Sequence, residues 1–170
     1  MKDENTNYVN YLIQLAQQGR KGAYIDLWEI FINSIYTTVK RLMGDEELIK
    51  EVLLRAFLEG WNRIRDYDVR VSFGTWLKNI SIYMAIFELK TRYTLEEIKK
   101  PSIIVAIEDI QQLEAFIQTL QPSERIAFVL HDIEGYSYDN MKKYFSDLII
   151  DEIKTIVVST RLQIMSKIGI

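Results

Sequence analysis

Apolar residues recur at helical spacing along almost the whole chain. The 170 residues include only two prolines and seven glycines, so few positions interrupt a helix. The clearest case is the segment from Asp45 to Ile64, where apolar residues return every three or four positions along one face. Because strands would need alternation with a period of two, we predict an all-α fold.

The same spacing predicts a series of helices. They are expected at Tyr8 to Gln17, Ala23 to Leu42, Asp45 to Ile64, Phe73 to Arg92 and Ile107 to Leu120, then from Pro122 to Gly135, from Ser137, and from Asp151 onward. Gly44 is typical of a residue just beyond a helix C-terminus, and Ser123 or Ser137 of an N-cap.

The chain changes character after Thr91. Charged residues in TRYTLEEIKK are followed by Pro101 and a short apolar run, which is typical of a linker. We therefore predict two small helical domains, residues 1–92 and 111–170, joined by a linker at 93–110.

Composition excludes several classes of protein. With 48% hydrophobic residues the chain is too apolar to be disordered, but its longest apolar stretches are far shorter than the roughly 20 residues of a membrane span. The N-terminus lacks the apolar core of a signal peptide. We expect a soluble cytoplasmic protein that is not inserted in a membrane.

The chain has no cysteine and a single histidine, His131. It therefore cannot form a disulfide, a thiolate metal site, a histidine cluster or a standard catalytic triad. Adjacent acids such as Glu46 and Glu47 point to different faces of a helix. We expect no enzyme activity, no cofactor and no metal.

Charge is unevenly distributed. The net charge is −3, and residues 101–170 contain 6 Lys/Arg against 10 Asp/Glu. Since phosphate contacts supply most of the affinity of a nucleic-acid binder, an acidic C-terminal part is unusual for such a protein.

The run LQPSERIAFVLHDIEGYSYDNMKKYF, from Leu120 to Phe145, predicts two helices that meet at Gly135. A short turn containing glycine is common both in DNA-binding helix-turn-helix motifs and in ordinary helix packing. The pattern alone leaves both interpretations open.

This run resembles the fourth conserved region of extracytoplasmic-function (ECF) sigma factors, with the approximate pattern L-P-x-x-x-R-x-x-F-x-L-x-x-x-x-G-x-S-Y-x-x-I. The matching residues are Leu120, Pro122, Arg125, Phe128, Leu130, Gly135, Ser137 and Tyr138, with Met141 at the final position. The blocks GDEELIKEVLLRAFLEGW and SFGTWLKNIS are similar to the second region of the same family. Together the resemblance covers the chain from Ala23 to its end.

The resemblance implies a non-catalytic subunit that binds RNA polymerase core, contacts promoter DNA and has an anti-sigma factor as partner. The residues at core-binding positions are Glu51, Leu54, Arg55 and Leu58. The basic residues near the region that melts the −10 element are Arg63, Arg65, Arg70, Lys78, Lys90 and Arg92. The residues at −35-contacting positions of the helix-turn-helix are Ser137, Tyr138, Lys142, Lys143, Lys154, Thr155 and Arg161.

Departures from the family pattern leave three alternatives open. Leu54 and Leu58 either pack under another helix or form a partner surface. Lys142, at a position commonly occupied by Ala, either extends out between two helices or forces them apart. Asp151 and Glu152 at the start of the recognition helix admit a second function, a sigma-like interaction module that binds an anti-sigma factor and no longer reads promoters.

Overall fold

The computed structural model describes residues 2–92 and 110–168, which form helices and connecting turns and contain no strand. The helices are α1 (Lys2–Gln17), α2 (Lys21–Met43), α3 (Glu46–Arg63), α4 (Phe73–Arg92), α5 (Ile110–Thr119), α6 (Pro122–Phe128), α7 (Tyr138–Met141) and α8 (Ile150–Ile168). A 3₁₀ turn follows α3 at Ile64–Asp66, a π-helical turn extends α6 at Val129–Ile133, and a 3₁₀ turn follows α7 at Lys142–Tyr144.

Most predicted helix boundaries agree with the structure, and α4 has the predicted bounds. The predicted start of the first helix at Tyr8 is wrong, because α1 begins at Lys2. Polar residues form helix readily without contributing to an apolar stripe, so periodicity does not detect them. The fifth helix is predicted to start at Ile107, and this predicted start lies outside the described residues.

Two of the predicted capping residues are confirmed and one is wrong. Gly44 follows α2 with a φ of 76°, and its N–H donates to the Lys40 carbonyl. Ser137 caps α7, where its hydroxyl accepts the Asn140 N–H. Ser123 lies inside α6, because Gln121 takes the N-cap position and Pro122 the first helical position.

The chain folds into two compact units, residues 1–39 with 46–84 and residues 40–45 with 85–170. In the first unit α1, most of α2, α3 and the first part of α4 surround an apolar core. Its fully buried side chains include those of Leu27, Ile35, Ile49, Leu77 and Ile82.

A tyrosine joins two helices of the first unit. The Tyr24 hydroxyl donates to the Phe57 carbonyl at 2.8 Å. Gly60 makes this approach possible, since a Cβ at this position would lie 2.3 Å from the Tyr24 hydroxyl and 2.8 Å from Leu77. This contact fixes the rotation of α3 about its own axis. It therefore determines which residues of α3 face outward.

The second unit has a core between α5, α6, α7 and α8. Leu130, Met141, Ile153 and Val157 are fully buried in it. Met141, at the final position of the sequence pattern given above, therefore serves as a core residue. This core sets the orientation of α8, the helix that carries the predicted DNA-contacting residues Lys154, Thr155 and Arg161.

Candidate functional site

The outer face of α3 carries two exposed leucines. Leu54 is 61% exposed and Leu58 is 50% exposed, one turn further along the helix. The alternative that another helix covers these two leucines is therefore wrong for the part of the chain that the structure describes. Neighbouring exposed leucines on an otherwise charged helix are typical of a surface that binds a partner.

Charged residues flank these leucines in pairs. Oε2 of Glu51 lies 3.7 Å from Nη2 of Arg55, and Oε1 of Glu59 lies 3.7 Å from Nη1 of Arg63. Exposed pairs of this kind contribute little to stability, so their side chains can exchange one partner for another at little cost. The α3 face thus combines an apolar centre with exchangeable charges of both signs.

The six basic residues predicted near the −10 region are distributed over both units. Arg63, Arg65, Arg70 and Lys78 belong to the first, and Lys90 and Arg92 to the second. Their assignment to promoter DNA stays a prediction.

Several of these cations have partners within the chain. Arg70 donates from Nε to Asp68 at 2.6 Å, and Arg92 donates to Glu88. Lys90 donates from Nζ to the Tyr144 carbonyl at 2.7 Å. Contact with phosphate would therefore require these side chains to exchange one partner for another.

The aromatic residues near this segment are engaged in packing. The ring of Trp76 lies 5.4 Å from that of Tyr67 and 5.4 Å from that of Phe73, and Trp61 lies 5.5 Å from Tyr24. These contacts give both tryptophans a structural role in packing.

All three helices of the helix-turn-helix segment are capped by their own residues. Glu124 accepts the Gln121 N–H at the start of α6, and Glu152 accepts the Ile149 N–H at 2.7 Å at the start of α8. Such a carboxylate three residues into a helix satisfies an otherwise unpaired backbone donor. Glu152 therefore has a structural reason to be acidic.

The turn at Gly135 also satisfies the backbone. Gly135 has a φ of 73°, and the Tyr136 N–H next to it donates to the Leu130 carbonyl at 2.9 Å. The bond resembles the one that closes an α-helix through a left-handed residue, but it spans one more residue because it follows the π-helical turn. The predicted junction between the two helices is confirmed.

Lys142 extends out between the helices, which resolves one of the open alternatives. Its Nζ donates to the carbonyls of Ser146 and Leu148 in the turn before α8. The lysine replaces a small residue without opening the motif, because its ammonium satisfies carbonyls that the turn leaves without a helical partner.

Lys143 and Tyr138 are held by aromatic contacts. The Lys143 ammonium lies 4.8 Å from the centre of the Tyr144 ring, and burial lowers its pKa. Burial also raises the pKa of Tyr136 to about 12. Tyr138 stacks on His131 with ring centres 4.5 Å apart.

The two predicted DNA-contacting cations of α8 are paired with acids. Lys154 donates to Asp151 at 3.1 Å, and the Thr155 hydroxyl donates to the Asp151 carbonyl at 2.8 Å. Arg161 donates from Nε to both oxygens of Asp132, at 2.9 and 3.0 Å, and also from Nη2. The Lys154–Asp151 pair is exposed and can exchange partners at little cost, whereas the side chain of Asp132, which holds Arg161, is only 17% exposed.

The pKa values of the Arg161–Asp132 pair reflect the contact. Burial tends to raise the pKa of Asp132, but hydrogen bonds and charge from Arg161 and His131 outweigh it and hold the pKa below its usual range. The hydrogen bond to Asp132 raises the pKa of Arg161. Asp132 is thus ionised throughout the physiological range.

An apolar stripe on the outer side of α8 is absent from the sequence prediction. Val158, Leu162 and Met165 are 50%, 61% and 45% exposed. Their spacing of four and three residues is visible in the sequence. Only the structure distinguishes this stripe from the buried one formed by Ile153, Val157 and Ile164 on the same helix.

No helix in the described residues combines the length and the apolar character needed to cross a bilayer.

Comparisons with known proteins relate the chain to sigma factors. No family model matches the chain. The ECF RNA polymerase sigma factor SigW of Bacillus subtilis (strain 168) is 24% identical over 80 residues, which are 47% of this chain and 43% of SigW. This match confirms the predicted resemblance to ECF sigma factors, and it spans less than half the length of the relative.

A solved structure extends the likeness of fold. The structure of CnrH in complex with the cytosolic domain of CnrY matches with a TM-score of 0.59 and 16% identity, covering 94% of this chain and 96% of that one. The match confirms the all-α fold.

Proposed function

We propose that the protein is a divergent ECF-type sigma factor, a non-catalytic cytoplasmic subunit that directs transcription initiation. It binds RNA polymerase core through the outer face of α3 and promoter DNA through the helix-turn-helix segment. The proposal is supported by sequence similarity to SigW and by the fold shared with CnrH.

The observation that carries the proposal is the exposure of Leu54 and Leu58 on α3. They lie, with Glu51 and Arg55, in the block that resembles the core-binding region of the family. An apolar pair surrounded by exchangeable charges fits a protein surface with a hydrophobic centre and a polar rim.

A regulatory partner follows from the same comparison. CnrH has been solved with the cytosolic domain of a second protein, CnrY. We propose that this chain likewise binds an anti-sigma factor, which withholds it from the polymerase.

Transcription with purified core polymerase tests the proposal. Leu54→Asp, and separately Leu58→Asp, should reduce core binding and promoter-dependent transcripts at least about tenfold, since a charge in an apolar contact centre costs more than about 1.4 kcal/mol. Ile25→Asp is the matched control, because Ile25 is an exposed apolar residue of α2. Equal effects of the α2 and α3 variants would refute binding through α3.

A second candidate function is favoured by α8. Its cations Lys154 and Arg161 are paired with acids, and its outer face shows Val158, Leu162 and Met165. A sigma-like module that binds protein and has lost promoter reading would have such a helix. Its proposed occupant is an apolar segment of the anti-sigma partner with basic flanks, complementary to the acids at the start of α8.

One pair of variants separates the two functions. Promoter reading through α8 requires Arg161→Ala to lower transcription while Leu162→Asp leaves the anti-sigma complex intact. The interaction module requires Leu162→Asp to weaken the anti-sigma complex. It also requires that the unaltered chain gives no promoter-dependent transcript.

A further inference from the structure

The single histidine of the chain lies at the only arginine of α8. Nδ1 of His131 is 3.0 Å from Oδ1 of Asp132 and 3.1 Å from Nη2 of Arg161. The same carboxylate accepts bonds from Nε and Nη2 of Arg161. A carboxylate and a guanidinium therefore converge on one ring nitrogen.

That nitrogen can make only one of its two contacts at a time. A neutral ring protonated on Nε2 has a lone pair on Nδ1, which accepts the N–H of Arg161. A ring that carries a proton on Nδ1 instead donates to Asp132. The doubly protonated ring can only donate at Nδ1, where Asp132 is the adjacent acceptor, and a second cation then lies beside the guanidinium.

The titratable and charged groups near the imidazole belong to three elements. Asp132 follows it in the π-helical turn, the Tyr138 ring of α7 stacks on it, and Arg161 of α8 contacts it. Lys154 lies 5.9 Å from the Tyr138 ring and is paired with Asp151. The carboxylate of Asp132 is the acceptor for which the imidazolium and the guanidinium compete.

We propose that His131 and Asp132 form a two-acceptor clamp that withholds the guanidinium of Arg161 from outside anions, and that protonation of the imidazole opens the clamp. When the neutral ring carries its proton on Nε2, Arg161 is bound by both acceptors. With the charged ring it loses one acceptor, shares the other and is repelled by the new charge. The clamp would regulate the DNA contact in the proposed function, but its chemistry requires neither polymerase nor DNA.

Hydrogen exchange of arginine side chains tests the clamp in the full chain. The Nε–H exchange rate of Arg161 is measured by NMR between about pH 5.5 and 8, the range in which imidazoles titrate, and is divided by that of Arg70. Arg70 is the matched reference, because its Nε–H also donates to a carboxylate, that of Asp68, with no histidine at the contact. The ratio removes the general dependence of exchange on pH.

The ratio should rise about fivefold from high to low pH, because the Asp132 carboxylate that holds the Arg161 Nε–H is then shared with the imidazolium, a weakening equivalent to about one hydrogen bond. Its midpoint should coincide with the titration of the His131 ring resonances. This coincidence is measured in the unaltered chain, so it does not depend on the folding of a variant.

His131→Gln keeps a neutral acceptor and removes the titration. In this variant the ratio should stay constant over the same range. A constant ratio in the unaltered chain, or an equal rise in the His131→Gln variant, would overturn the clamp. Neither result bears on core binding through α3, so the proposed function is judged separately.

Discussion

At the scale of single residues, acidic side chains near α8 have structural partners. Glu152 caps the helix, Asp151 pairs with Lys154, and Asp132 pairs with Arg161. Each carboxylate accepts a hydrogen bond from a donor of the same segment or of a neighbouring helix. An acidic residue in this segment is therefore weak evidence against a nucleic-acid contact until its own partner is known.

Capping predicts a measurable cost at Ser137. Ser137→Ala removes the acceptor of the Asn140 N–H and should lower the free energy of unfolding by about 1 kcal/mol. Urea unfolding followed by circular dichroism measures the difference. Ser159→Ala is the control, since this exposed serine lies within α8 and its hydroxyl donates to the Ile156 carbonyl. A cost at Ser159 equal to that at Ser137 would contradict the capping role.

At the scale of elements, the helix-turn-helix segment is built from local signals that agree with each other. α6 and α8 begin with a carboxylate cap, α7 begins with a serine cap, and the turn between α6 and α7 contains a glycine at positive φ. The π-helical turn at Val129–Ile133 precedes that glycine. The frame of the motif therefore depends on backbone groups that are satisfied within the segment.

Two glycines of the chain should respond oppositely to alanine. Gly135→Ala places a side chain on a residue with a φ of 73° and should destabilise the protein by about 1–2 kcal/mol. The added Cβ would have no neighbouring atom within 4 Å, so the cost comes from the backbone conformation. Gly22→Ala lies in α2 without a positive φ and with equal space, and should stabilise by about 0.5 kcal/mol.

Thermal unfolding of the two variants side by side measures both signs. Destabilisation by Gly22→Ala as large as that by Gly135→Ala would show that packing, and not backbone conformation, decides the result.

At the scale of the whole molecule, the distribution of charge matters more than the net charge of −3. Arg161 of α8 is paired with the partly buried Asp132, whereas the Lys154–Asp151 pair of α8 and the Glu51–Arg55 pair of α3 are exposed. The proposed protein contact on α3 and the proposed DNA contact through α8 should consequently respond differently to salt.

Removing the acids at the start of α8 should expose this difference. Asp151→Asn with Glu152→Gln releases Lys154 while keeping an amide that can cap the helix. Affinity for duplex DNA should increase, and the slope of log K against log salt should steepen by about 0.9 for one added phosphate contact. Fluorescence anisotropy over a series of salt concentrations measures both.

The control changes the net charge equally in the first unit. Asp26→Asn with Glu29→Gln removes two negative charges from α2 and should leave the slope unchanged. An equal response to both double variants would assign the effect to net charge and not to α8.

Much of the fold was predictable because its signals are local. Apolar spacing, few helix-breaking residues, Gly44, Gly135 and Ser137 act within a turn or two of the backbone. They therefore determined the all-α fold, most helix boundaries and the frame of the helix-turn-helix. The blocks around Pro122 and Trp61 likewise sufficed to indicate the sigma-factor resemblance.

The tertiary structure decided which candidate site residues are exposed and which are paired within the chain. Whether Leu54 is exposed, whether Lys142 opens the motif, and whether Arg161 is neutralised all depend on residues that are distant along the chain or on the orientation of a helix. Arg161 and Asp132 are 29 positions apart, and periodicity cannot predict that they meet. The sequence alone determined which helices form and the family they resemble. The tertiary structure decided which charges remain available, because pairing and burial depend on distances in space.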